Sequence, residues 1–274
     1  MAGPQPGKPQ PKDIMLIPGS AGLATLQHNK QTFQENRAFA AQWVAKSSTD
    51  RGKIEVPIKG ALADFTNALK QAAGLARGKE IILMTGHGAI GTQSGLLQTA
   101  FDTVPEDDLM ATHLHVVTAE VVNLEDVAEK KAGKWVSKPI KQGNVIFRLG
   151  QGEIDALAPR RDMLDEIGKA MRDGGVQRLR LLTCNVGNDT IFVSRLSKIL
   201  GVEIVAYKKF TITLWNDFTD PPPKSTKTSL VQLYVGLEPD FSTTPTTNPP
   251  PLVTGKTDPQ FTEIPHNDEV TGHP

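Results

Sequence analysis

Residues 80–88 read Glu-Ile-Ile-Leu-Met-Thr-Gly-His-Gly, and their reading decides the fold. Ile81, Ile82, Leu83 and Met84 form an unbroken apolar run rather than an alternating one, as a strand needs when both of its faces are covered. The run stops at Thr85-Gly86-His87-Gly88, a turn signal that carries an imidazole. Outward from it, 13–19 (DIMLIPG) and 178–184 (RLRLLTC) are two further apolar runs, and 53–59 (KIEVPIK) is a more polar strand whose proline suits a sheet edge. Segments of helical spacing lie between them. About 25–47 carries Leu26, Phe33, Phe39, Trp43 and Val44; about 61–76 ends before Arg77 and Gly78; 160–172 is closed by Gly174 and Gly175; and 190–201 follows the cysteine strand.

Two more strands are predicted at 203–215 and 229–237, separated by Pro221, Pro222 and Pro223. Strands alternating with helices predict a three-layer α/β/α sandwich around a mostly parallel sheet, with right-handed crossovers. The interval 110–150 breaks the rhythm and reads as an inserted β-hairpin, its strands in 114–124 and 143–150 and its turn the Lys-rich 128–142. One domain is expected over 13–238. It is flanked by a disordered N-terminal segment, 1–12, and a Pro/Thr-rich disordered tail, 239–274, both too poor in aliphatics to bury a core of their own.

With 30 basic and 30 acidic residues in 274, the formal net charge is zero, so long-range charge selects neither nucleic acid nor an anionic membrane for the chain as a whole. The N-terminus lacks the apolar core of a signal peptide, and no run approaches the roughly 18 apolar residues of a membrane span. A soluble, cytoplasmic protein is expected, or one delivered by a secretion system that reads no cleavable signal. The single cysteine, Cys184, excludes an internal disulfide and a cysteine-based zinc site, and nothing calls for a cofactor.

In open parallel sheets ligands gather beyond the carboxyl ends of the strands. His87 follows one apolar strand and Cys184 ends another, so if those strands are neighbours an imidazole and a thiol share a crevice. The chemistry needs such a pair, because a thiol of ordinary pKa near 8.5 is only slightly ionised at neutral pH until a base takes its proton. The N–H groups of Gly88 and Cys184 are candidate oxyanion donors. Taken singly, Cys184 reads as a small buried side chain and His87 as a capped strand-end histidine; the pairing in this chain order favours a dyad.

Other motifs are weaker. His113 and His115 stand as H-x-H with no third ligand at a telling spacing, and fit a hairpin face better than a metal site. The loop Pro18-Gly19-Ser20-Ala21-Gly22 lacks the full phosphate-binding pattern and reads as a tight strand-to-helix turn. Lys130, Lys131, Lys134, Lys138 and Lys141 read as a solvated turn.

An apolar strand ending in His-Gly, followed by one ending in Cys, resembles the clan of caspase-like cysteine peptidases, with IILMTGHG and RLLTCNVG closest to the bacterial CHAT-type and self-cleaving toxin peptidase domains. The resemblance implies a six-stranded, mostly parallel sheet with the His and Cys strands adjacent. It also implies His87 as general base and acid, Cys184 as nucleophile, Gly88 with Cys184 as oxyanion donors, and a protein or peptide substrate. Trp215 and Asp217, after the strand that follows the cysteine helix, fall where the family builds part of its substrate pocket. Toxin members are switched on by an inositol phosphate held by basic residues, which makes the Lys cluster a candidate for an anionic activator. His87 and Cys184 lie 97 positions apart, longer than the family leads one to expect, and the inserted hairpin accounts for the excess. Position 182 is Leu, where metacaspase-like members carry an acid, so a basic P1 preference is not implied. The competing expectation is a catalytically silent caspase-like module that binds a protein partner or an anionic ligand.

Overall fold

In β1 (Asp13–Pro18), Ile14, Met15, Leu16 and Ile17 are all buried, so both faces of this strand are covered. The computed structural model describes residues 10–21, 30–57, 62–84, 119–182, 186–207, 210–215, 231–237 and 269–272. Around β1 the chain forms α1 (Lys30–Lys46), β2 (Arg51–Val56), α2 (Leu62–Ala76) and β3 (Glu80–Leu83). After the interval that interrupts the rhythm come α5 (Gln151–Gly174), β8 (Arg178–Leu181), α6 (Thr190–Leu200) and β9 (Glu203–Tyr207). The sheet order is β9-β8-β3-β1-β2, all parallel, with an antiparallel β12 (Glu269–Gly272) outside β9. β2, with its following proline, lies at the other edge, as its composition predicts.

Side chains of successive strand residues point to opposite faces, and the core divides accordingly. Ile14, Leu16, Ile81, Leu83, Leu179, Leu181 and Ile204 pack with α2, α5 and α6. Met15, Ile17, Ile82, Val205 and Tyr207 pack with Phe39, Ala40 and Trp43 of α1. The protein is therefore a mixed α/β fold with helices on both faces of a mostly parallel sheet. Glycine permits close helix contacts: a Cβ on Gly168 of α5 would lie 2.6 Å from the Ile199 carbonyl oxygen of α6.

Several expectations are corrected. The interval 110–150 holds two hairpins, not one, and its Lys-rich stretch is strand rather than turn. Two short helices, α3 (Ala119–Val122) and α4 (Leu124–Val127), stand where a strand is predicted, and residues up to 118 lie outside the described ones. Then β4 (Ala128–Lys131) pairs with β5 (Lys134–Ser137), and β6 (Ile140–Gln142) with β7 (Val145–Phe147). Two-residue turns explain the pairing. Ala132 and Gly133 both have positive φ (47° and 80°), the twist a tight hairpin requires, and Gly143 at 61° opens the second turn.

Helix α5 is 24 residues long and runs through Pro159, which composition alone reads as a boundary. The segment 203–215 is two strands, β9 and β10 (Phe210–Trp215); β10 leaves the sheet and pairs with β11 (Val231–Leu237) as a separate antiparallel hairpin next to α1. Within the expected disordered tail, Glu269–Gly272 form β12. The open edge of β9 offers a row of unpaired backbone groups, and Val270 and Thr271 are β-branched residues suited to it.

Candidate functional site at the carboxyl edge of the sheet

The two strands singled out by the sequence are neighbours. β3 and β8 pair in parallel from Glu80 opposite Arg178 to Leu83 opposite Leu181. Each strand runs one residue further at its carboxyl end: the Leu182 N–H donates to the Leu83 carbonyl of β3 at 2.9 Å, and the Met84 N–H to the Leu16 carbonyl of β1 at 3.0 Å. Met84 and Leu182 are both buried. The two chains thus reach the carboxyl edge side by side, three residues before His87 and two before Cys184. His87, Gly88 and Cys184 themselves lie outside the described residues, as do Asp217, His113 and His115. Trp215 closes β10 opposite Val231, and its side chain lies outside the described residues too.

Beyond Cys184 the chain resumes as a single 3-10 turn, Val186–Asn188, and then α6. The Asp189 side chain caps this helix by accepting the Phe192 N–H at 2.9 Å. A capped helix start therefore lies six residues after the thiol in sequence, and its N-terminal dipole favours negative charge nearby.

A polar network sets the register of the strands that carry the candidate dyad. Arg180 of β8 is 7% exposed, on the α1 face, and its Nε donates to Glu80 of β3 at 2.7 Å. Its Nη1 donates to the Tyr207 hydroxyl of β9. Burial works against the Arg180 charge, but the Glu80 carboxylate and Tyr207 outweigh it, and the guanidinium pKa lies above its ordinary value. Burial raises the Glu80 carboxyl, with Arg180 pulling the other way. One side chain thus ties three adjacent strands, and a one-residue slip would separate it from Glu80 and Tyr207.

A second network holds the loop after β1 at the same edge. Arg37 of α1 donates to the Pro18 carbonyl at 2.7 Å and to Glu55 of β2 at 3.0 Å, while the Ser20 N–H and hydroxyl donate to the same Glu55 carboxylate at 3.2 and 3.3 Å. Hydrogen bonding from Arg37 is the main reason that Glu55 titrates at about 2, well below the usual carboxylate range. Ser20 thus donates to a carboxylate, which fits a tight turn after β1; Gly22 of the same loop lies outside the described residues. Neither network is singled out by the sequence motifs; the visible signals were a charged residue inside the apolar run RLRLL and one inside KIEV.

The first inserted hairpin packs on the first half of α5. The three-residue link from α5 to β8 puts the helix C-terminus at the amino edge of the sheet. At about 36 Å, α5 is far longer than the four-residue strand β8. Its Leu164, Ile167 and Met171 pack on the main core, whereas Ile154 near its start joins Leu124, Ala128 and Trp135 in a separate cluster. Trp135 fixes β5 to the helix: its Nε1 donates to Asp162 at 3.0 Å, and the Arg161 guanidinium lies 5.5 Å from its ring centre.

Among the described residues, no group of three His, Cys, Asp or Glu side chains is placed to hold a metal, and no helix is long and apolar enough to cross a membrane. No family model, curated protein or solved structure significantly matches the chain.

Proposed function

We propose that the chain is a cysteine endopeptidase of caspase-like type, hydrolysing a peptide bond in a protein substrate at the carboxyl edge of the sheet. The observation that carries this reading is the parallel pairing of β3 with β8. The strand leading into TGHG and the strand leading into TCNVG leave the sheet as immediate neighbours, about 4.8 Å apart at ordinary sheet spacing. In the same reading the fold is the caspase-like one, a six-stranded sheet with β12 as its antiparallel sixth strand and the two hairpins as an insertion.

His87 accepts the Cys184 thiol proton, and the thiolate attacks the substrate carbonyl carbon. The tetrahedral oxyanion is met by the N–H groups of Gly88 and Cys184. As the C–N bond breaks, His87 returns the proton to the leaving amine. Water then hydrolyses the thioester, His87 taking and returning a proton in the same way. Trp215 and Asp217 contribute to the substrate pocket, and the enzyme works in a cytoplasm, its own or one into which it is delivered. The test is a digest of a proteome-derived peptide library read by mass spectrometry. New termini should appear with the natural chain and vanish with Cys184→Ala and with His87→Ala; cleavage that survives both substitutions refutes the mechanism.

A further inference from the structure

Five large apolar side chains stand exposed among the described residues, and three of them are consecutive: Val145, Ile146 and Phe147 of β7, at 53%, 65% and 50% exposure. Because strand side chains alternate, Val145 and Phe147 share one face of the β6–β7 hairpin and Ile146 lies on the other. A packing partner covers one face of a ribbon, and an added strand covers only its edge. A fluid apolar medium covers both faces at once.

The charge around this ribbon narrows the medium further. From Ala128 to Gly150 the chain carries six basic residues, Lys130, Lys131, Lys134, Lys138, Lys141 and Arg148, against one acid, Glu129. Asp162 engages Lys130 and Glu129 engages Lys131. Among the described residues no carboxylate pairs with Lys134, Lys141 or Arg148. Like charge of this density opposes self-association through the hairpin and favours an anionic surface. We infer that the β6–β7 hairpin docks on an anionic lipid bilayer, Ile146 and Phe147 entering the interface while Lys134, Lys141 and Arg148 meet the headgroups. The outer edge of β7 has no strand partner among the described residues, so its backbone needs water and insertion stops at the headgroup level. The hairpin directly precedes α5 in sequence. The proposal itself does not depend on catalysis.

The experiment is vesicle co-sedimentation of the full chain. Phosphatidylcholine vesicles with and without phosphatidylserine as about a third of the lipid are compared at about 0.1 M salt, where screening sets in near 10 Å. Binding is expected only to the anionic vesicles. Lys141→Gln with Arg148→Gln should weaken it roughly 30-fold, at about a factor of five per charge. Ile146→Ser with Phe147→Ser should weaken it at least about tenfold through lost apolar burial, whereas attraction to a soluble polyanion would be indifferent to those two residues. All four side chains are exposed, so both variants should melt with the natural chain, and Cys184→Ala should bind unchanged. No binding, equal binding to neutral vesicles, binding that either double variant leaves intact, or a lipid-free dimer abolished by Ile146→Ser with Phe147→Ser would each overturn the proposal.

Discussion

Replacing Gly168 by Ala should destabilise the protein, although alanine is the better helix former. An added Cβ would sit 2.6 Å from the Ile199 carbonyl oxygen and 3.0 Å from the Leu200 Cα, both backbone atoms of the facing helix that cannot rotate away. Relief to an ordinary contact needs α5 and α6 to part by about 0.8 Å, and overpacking of this kind costs about 1–3 kcal/mol. Helix propensity returns up to about 1 kcal/mol, so the net loss should be about 1 kcal/mol at the middle of that range. Gly74 of α2 supplies the contrast, because a Cβ there meets nothing within 4 Å. Gly74→Ala should therefore stabilise, by about 0.5–1 kcal/mol. Urea unfolding followed by circular dichroism measures both changes on one scale. A Gly168→Ala chain as stable as the natural one would refute the close α5–α6 contact.

Other outcomes follow from the polar networks. Glu80→Ala removes the carboxylate beside the nearly buried Arg180 and should cost about 3 kcal/mol, more than any exposed ion pair, as a urea midpoint would show. Glu55 has a folded pKa of about 2 against an unfolded value of 4.5, so its contribution is present above about pH 4.5 and is lost as pH falls toward 2. With a side chain 36% exposed and screened by solvent, that contribution is about 1 kcal/mol, and Glu55→Gln should flatten the acid limb of stability against pH by that amount.

The elements that pack on the sheet were legible because their signal is periodicity. Ile14 to Ile17 and Ile81 to Leu83 are apolar without interruption since both faces are covered, and the α2 boundary was visible in Arg77-Gly78. The interval 110–150 was legible only as an exception. Its short strands draw pairing from turn geometry at Ala132-Gly133 and Gly143, and its anchors to α5, Trp135 with Leu124 and Ala128, follow no period. Pro159 concealed the first half of α5, and β12 depends on an edge that only the folded sheet provides. For the candidate site, strand order follows from no residue pattern, and only the family resemblance implied it. Sequence named two strand ends, while the pairing of Glu80–Leu83 with Arg178–Leu181 is a tertiary fact, held partly by the Arg180 network.

The pH dependence of alkylation at Cys184 tests the proposed dyad most directly, and the chain has no second cysteine to confuse the readout. An isolated thiol of pKa near 8.5 is about 0.3% ionised at pH 6, while one paired with an imidazole and titrating near 6.5 is about 25% ionised. Allowing for the weaker nucleophilicity of the more acidic thiolate, iodoacetamide should react about tenfold faster than with an ordinary thiol at that pH. His87→Ala should return the midpoint to about 8.5 and remove the advantage. A native chain that alkylates with the ordinary midpoint, or only after unfolding, and that His87→Ala leaves unchanged, would contradict a catalytic pairing of His87 with Cys184.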